Sequence, residues 1–156
     1  MAQSARNFME DQAPVSTTYE LASIGNRFLA LLIDDLILLA VSFVIGLFLL
    51  PFLSDLFSLL LGIALNTAYY WYFWTRRDGQ TPGKKAMRIK VIKADGTPIS
   101  DTDALLRVFG YYVGRVTLGL GYLWAAFDAN SQSWHDKMAN TYVITTGEAA
   151  RKTINI

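Results

Sequence analysis

The chain has 156 residues, room for one domain, and its 14 Lys+Arg against 13 Asp+Glu leave a formal net charge of +1. That balance argues against a polyanionic partner, since nucleic-acid binding wants a basic excess gathered on one face. The absence of Cys excludes disulfides and thiolate metal sites, and a single His leaves a zinc site short of donors; no metal or other cofactor is expected. Hydrophobic residues make up 53% and charged residues 17%, against about 25% charged in soluble domains. A mean hydropathy of +0.27 fits apolar blocks joined by ordinary polar segments.

Residues 1–21 open on a polar stretch without periodicity, which predicts a disordered cytoplasmic tail. Its Glu10, Asp11 and Glu20, and the lack of a small-residue cleavage pattern after the apolar run, disfavour a signal peptide. Leu36 to Ser54 then gives nineteen residues without a charge, and Leu56 to Thr75 twenty more. Each approaches the roughly 20 residues that cross a bilayer as helix. The first is apolar on all sides, which only a membrane or a large core accepts. The spans are placed at about 28–50 and 52–74. Pro51 makes the connection tight, so the two form an antiparallel helical hairpin. Tyr69, Tyr70, Trp71, Tyr72 and Trp74, followed by Arg76 and Arg77, mark a membrane–water boundary.

The loop 76–103 carries Arg76, Arg77, Lys84, Lys85, Arg88, Lys90 and Lys93. Lys and Arg in short loops orient membrane proteins, so this loop and the N-terminus are expected on the cytoplasmic side. Met87, Ile89 and Val91 alternate with Arg88, Lys90 and Ile92, a period of two that predicts a strand entering the turn 94–97. The third apolar segment, 104–127, is broken by Arg107, Arg115 and four glycines. As one span it would hold Arg115 near mid-bilayer, where an unpaired guanidinium is costly. A break near Arg115, giving two short helices that enter and leave from one side, is favoured over a single span. The tail 140–145, of strand composition, would then return to pair with 87–92, an addition that an otherwise marginal ribbon needs. The fold class is thus an α-helical polytopic membrane protein: a two-span hairpin plus a third apolar segment, re-entrant or single-span, with a small cytoplasmic β element. The membrane domain covers 22–146, and 147–156 is a C-terminal tail.

Asp34 and Asp35 lie inside the first apolar segment, and an intramembrane carboxylate is a functional-site hypothesis by default. Arg27 is two helical turns before Asp34 on the same face, about 10 Å away along the axis, and the two read as a pair needing a bridging group. Asp35 points some 100° away from Asp34, toward a neighbouring helix or the interface. Two readings stand: a proton- or cation-binding carboxylate tuned by burial and a guanidinium, or a polar lock between Asp34 and the third segment. Asn66 and Arg115 are candidate members of the same cluster. The stretch Gly79 to Lys85 has the look of a phosphate loop, but its spacing is one residue short, Lys85 replaces the Ser/Thr, and a membrane helix precedes it. Nucleotide binding is rejected; Arg76, Arg77, Lys84 and Lys85 are read as contacts to anionic headgroups. His135-Asp136 lacks an accompanying nucleophile, and Asp136 is read as a cap or turn residue rather than a catalytic partner.

Together these residues resemble the RDD family of small bacterial membrane proteins, named for one arginine and two aspartates. The resemblance covers about 22–145 and maps the family's arginine onto Arg27 and its mid-helix aspartate onto Asp34. The GQTPGK loop, the strand and the DG turn are matched by 79–84, 87–92 and Asp95-Gly96. The later LWxxFD and HDxxAxT elements are matched at Leu123-Trp124 and Phe127-Asp128, and at His135, Asp136, Ala139 and Thr141. Asp136 is taken as the second family aspartate, with Asp35 the alternative. The chain departs at Asn140, where glycine is usual, and at 130–133, where a basic stretch is common.

The resemblance implies a bacterial inner-membrane protein, multi-pass, linked in places to cation/proton antiport, with many members acting as accessory components. The chain is accordingly expected to be transport-related, moving a proton or monovalent cation through Asp34 paired with Arg27. The alternative is a non-enzymatic accessory or assembly subunit. No enzyme activity, nucleic acid or nucleotide is expected. The expected partners are the lipid bilayer and a second copy or another membrane protein.

Overall fold

A computed structural model describes residues 18–146 and 153–155. The disordered preface expected through residue 17, and residues 147–152 and 156 of the C-terminal tail, lie outside the described residues. Short strands occupy the described parts of 1–21 and 147–156. β1 (Thr18–Glu20) pairs antiparallel with β4 (Thr153–Asn155), and Leu21 forms a bridge to Ile144.

Two long helices follow. α1 (Ile24–Leu49) starts four residues before the expected span, a 3-10 turn occupies Leu50–Phe52 around Pro51, and α2 (Asp55–Arg76) begins at Asp55 behind Ser54. Both are long and apolar enough to cross a membrane. α1 buries only Ala30 and Asp34, and α2 only Tyr70 and Trp74. Leu36, Leu39, Phe43, Leu47, Phe48, Leu56, Phe57 and Leu59 are all exposed. A contiguous apolar surface of this extent suits lipid or other helices rather than water. The helices make little direct contact with each other and are braced instead by the segments that follow.

Those segments gather where α1 begins and α2 ends. Thr81 caps α3 (Pro82–Ala86), its hydroxyl accepting the Lys84 N–H at 3.2 Å, with Pro82 where its missing N–H costs nothing. α3 packs on α1. Arg88 has φ of +53°, which breaks the extended backbone at the start of the predicted alternation, so β2 begins two residues later, runs from Ile89 to Lys93 and omits Met87. β3 (Thr141–Thr145) pairs antiparallel with β2, Val91 opposite Val143. Ala22 N–H donates to Val143 C=O on β3's other side at 2.9 Å. The returning tail therefore does meet 89–93, flanked by the start of α1 rather than by a full third strand. Asn140, at the position where glycine is usual, has φ of +48°; asparagine is the residue that best tolerates this left-handed turn after glycine.

α4 (Asp101–Val116) opens on a capping box, Ser100 and Asp103 exchanging hydrogen bonds at 3.2 and 3.1 Å. It runs antiparallel to α2. Trp71 Nε1 donates to Asp101 at 3.1 Å near one end, and the Tyr112 hydroxyl reaches the Ile63 carbonyl at 3.1 Å near the other. At 16 residues it is about 24 Å long. It stops just after Arg115, where Leu118 and Gly119 take φ of +53° and +85°. α5 (Leu120–Leu123) and a 3-10 turn (Trp124–Ala126) lead the chain back, and Tyr122 donates to the Tyr111 carbonyl at 3.3 Å. α6 (Trp134–Met138) then lies against α4 at Gly110, where an added Cβ would meet His135 Cβ at 2.7 Å. Tyr70, Trp74 and Tyr111 stack edge-on in the shared core with Ile89, Val91 and Val143.

Candidate functional site

Two carboxylates organise the polar interior. Asp136, in the first turn of α6, is 1% exposed. Its Oδ2 accepts the Ser133 N–H at 3.1 Å and the Ser133 hydroxyl at 2.5 Å, closing the turn that starts the helix. Its Oδ1 accepts Arg107 Nη1 at 2.5 Å, and Arg27 Nη1 stands 3.5 Å from Oδ2. Arg107 comes from the buried face of α4, is fully buried, also donates to the Thr141 hydroxyl, and lies 4.9 Å over the Trp74 ring. Arg27 spends its other donors on the carbonyls of Ser131 (2.5 Å) and Val143 (3.1 Å). One α1 arginine thus ties the start of the first long helix to the returning tail. Burial opposes ionisation of Asp136, but Arg107, then Arg27, and the Ser133 hydrogen bond outweigh it and hold the carboxyl well below the usual range.

Asp34 is the second centre, also 1% exposed. It accepts the Tyr69 hydroxyl at 2.8 Å, the Thr81 hydroxyl at 2.5 Å and the Gly83 N–H at 2.8 Å. The GQTPGK loop does cradle an anion, and the anion is the chain's own carboxylate. The expected Arg27–Asp34 pairing is corrected: all of Arg27's side-chain hydrogen bonds go to residues 131–143. Asp34 locks to the loop and to α2, not to the third segment. Asp35, pointing away from it, is paired with Arg115 of α4's last turn; both are about 40% exposed. Asn66 is half-buried on α2 and joins none of these clusters.

Residues 21–140 match the model of the RDD family. This chain belongs to the RDD family. No curated protein and no solved structure matches it. In this RDD protein Arg27 meets Asp136, while Asp34 sits with the loop.

The headgroup expectation divides. Arg76 and Arg77 are exposed and lie over the rings of Trp71 and Tyr72 at 5.2 and 5.6 Å, and Lys85 is exposed. Lys84 is not a surface contact: it is 4% exposed. Burial, and then the Arg107 charge, push its ammonium down to about 8. Sequence reading passed over Arg107, Thr81 and Tyr69 as site residues. The signal for Arg107 was its place among Ala104, Val108 and Tyr111, at the spacing of a buried helix face. No convergent group of three His, Asp or Glu side chains occurs among the described residues.

His135 is 5% exposed against Tyr111, its ring centroid 4.3 Å from the tyrosine's. The Ser133 hydroxyl gives its proton to Asp136, so His135 Nε2, 2.7 Å away, donates to the Ser133 oxygen. Asp136 Oδ1 is 3.8 Å from Nε2, beyond hydrogen-bond reach. Burial, reinforced by Arg107, Lys84 and Arg27 against the opposing pull of Asp136, holds the imidazole well below its ordinary value, so it is folded in as the neutral form. The unfolded chain therefore binds a proton, near pH 6.5, that the folded one refuses. Stability should be level above about pH 7 and fall by up to about 1.4 kcal/mol per pH unit below 6.5. This is the chain's one His, so a thermal-unfolding series from pH 7.5 to 5.5 should flatten in His135→Asn.

Proposed function

We propose that this RDD protein is a non-enzymatic accessory or assembly subunit of the bacterial inner membrane. In this reading α1 and α2 cross the bilayer, the N-terminus is cytoplasmic, and Asp34 and the Arg27–Asp136–Arg107 cluster fasten a cytoplasmic cap onto the hairpin. The observation that carries it is the saturation of both buried carboxylates by fixed protein donors, three on Asp34 and two arginines plus Ser133 on Asp136. A transported cation would have to displace these donors, at the full cost of leaving them buried and unpaired. The apolar flanks of α1 and α2 supply the surface for partner helices, from a second copy or another membrane protein. The seven cations of 76–93 support the orientation, and α4, too short for a full crossing, supports a re-entrant third segment.

A second reading, proton or monovalent-cation transport, is favoured by one feature: the Asp35–Arg115 pair is about 40% exposed, so its carboxylate is reachable. Reconstituted vesicles decide between them. The purified chain is expected to give no pH-driven Na⁺ or K⁺ flux above protein-free vesicles, and purification in mild detergent to bring down a second membrane protein. Flux that is lost in Asp35→Asn establishes transport instead, and a solitary monomer in mild detergent rejects the assembly role.

A further inference from the structure

A cavity of about 300 Å³ opens beside the Arg27–Asp136 pair. Phe28, Leu31 and Leu123 form its walls, and Arg27, Lys84 and His135 lie toward its polar end. Phe28 and Leu123 are each 57% exposed, which puts the mouth on the apolar surface beside the first long helix rather than on the polar cap.

The charges around it do not balance. Arg27, Arg107 and Lys84 face only Asp34 and Asp136 within the buried cluster. Asp136 is taken by the two arginines, and Asp34 by neutral donors. The uncompensated cation of the cluster is Lys84, a residue 4% exposed that lines the cavity and whose ammonium forms no ion pair among the described residues. Arg27 Nε, beside it, is buried without an acceptor. A buried, unpaired ammonium is unfavourable unless something anionic answers it. Apolar walls that lead from a mouth on the apolar helix surface to a cationic floor fit a molecule with an anionic head and a hydrocarbon chain, and the size suits a small ligand.

We propose that this cavity binds an anionic amphiphile, a single carboxylate or phosphate head resting against Lys84 and Arg27 and its acyl chain leaving past Phe28, Leu31 and Leu123. This goes beyond the accessory reading and does not depend on it. Occupancy by a bilayer lipid would neutralise the cation left over within the buried cluster of described residues, and would couple the seat of α3 to the lipid composition around α1.

The test is native mass spectrometry of the purified full chain in uncharged detergent, titrated with phosphatidylglycerol, palmitate, phosphatidylcholine or inorganic phosphate. A single adduct is expected with phosphatidylglycerol or palmitate, at concentrations at least tenfold below those needed for phosphatidylcholine. Lys84→Met should weaken it tenfold or more while raising the unfolding temperature, because an unmatched buried charge is removed; loss of binding is then separated from loss of folding. Gly25→Phe should block it too, since Gly25 lines the cavity and a Cβ there meets nothing within 4 Å. Lys90→Met, on β2 where the lysine pairs with Asp78 and lies outside the cavity lining, should leave it unchanged. Equal binding of phosphatidylcholine, or full binding by Lys84→Met, overturns the proposal. Saturation by inorganic phosphate at the concentrations that serve phosphatidylglycerol also overturns it, because the head alone would then be the ligand.

Discussion

Asp136→Asn should destabilise the chain by about 3–5 kcal/mol, the range for removing one partner of a buried ion pair. The substitution keeps volume and shape, so the loss is electrostatic. Arg107 is fully buried, with Nε and Nη2 already lacking acceptors, and it would be left facing an amide. Arg27 would lose the anion that draws the start of α1 toward α6. The carboxyl is held well below its ordinary value when folded, so its contribution is complete above about pH 4 and is lost only as pH falls below that. Near neutral pH the wild-type protein should therefore show no titration from this group, and the variant's deficit should be constant. Adding Arg107→Met to Asp136→Asn should recover part of the loss, since replacing both members of a buried pair is far milder than removing one. Thermal unfolding in detergent, paired with protease sensitivity at 79–100, reads the effect: the cap should loosen while helical signal from α1 and α2 persists. An Asp136→Asn chain that melts with the wild type would remove Asp136 from the centre of the fold.

Much of this architecture was legible in the sequence because it follows from one-dimensional patterns. The charge-free runs 36–54 and 56–75 became the two long helices, the alternation ending at Ile92 became a strand, and a helix ends at Val116, close to Arg115 where the sequence favoured a break. The Ser133-to-Asp136 spacing carried its own cap signature. What stayed hidden were pairings between distant segments. Arg27 and Asp34 share a helix face, so their proximity in sequence suggested a pair; Arg27 instead reaches residues 131–143. Lys84 reads as a surface cation until α3 is seated against α1, which buries it. Arg107 looked like an interruption of an apolar segment, when its position on the buried face of α4 demanded a carboxylate elsewhere. A charge at a core position of an amphipathic helix is a request for a partner, and the nearest charge in sequence is not always the one that answers.

The seat of α3 on α1 is a place where a single methyl group should do heavy damage. A Cβ at Gly83 would stand 2.1 Å from the Ala30 carbonyl oxygen and 2.8 Å from Asp34 Oδ1, both well inside contact distance. The obstruction is helix backbone, and Ala30 is fully buried, so no side chain is free to rotate away. Gly83→Ala must push α3 off α1. Displacement costs Asp34 the Gly83 N–H and the Thr81 hydroxyl together, leaving a buried carboxylate with only Tyr69. Overpacking alone costs about 1–3 kcal/mol, and unsatisfied buried groups add about 1–3 kcal/mol or more, for an expected loss of about 3–5 kcal/mol. The control is Gly62→Ala on the exposed face of α2, where a Cβ meets nothing within 4 Å; helix propensity makes it neutral or stabilising by up to about 1 kcal/mol. Unfolding midpoints of the two variants should therefore move in opposite directions or differ by many degrees. If Gly83→Ala melts with Gly62→Ala, the loop does not sit on α1 and the carboxylate of Asp34 is free for other work.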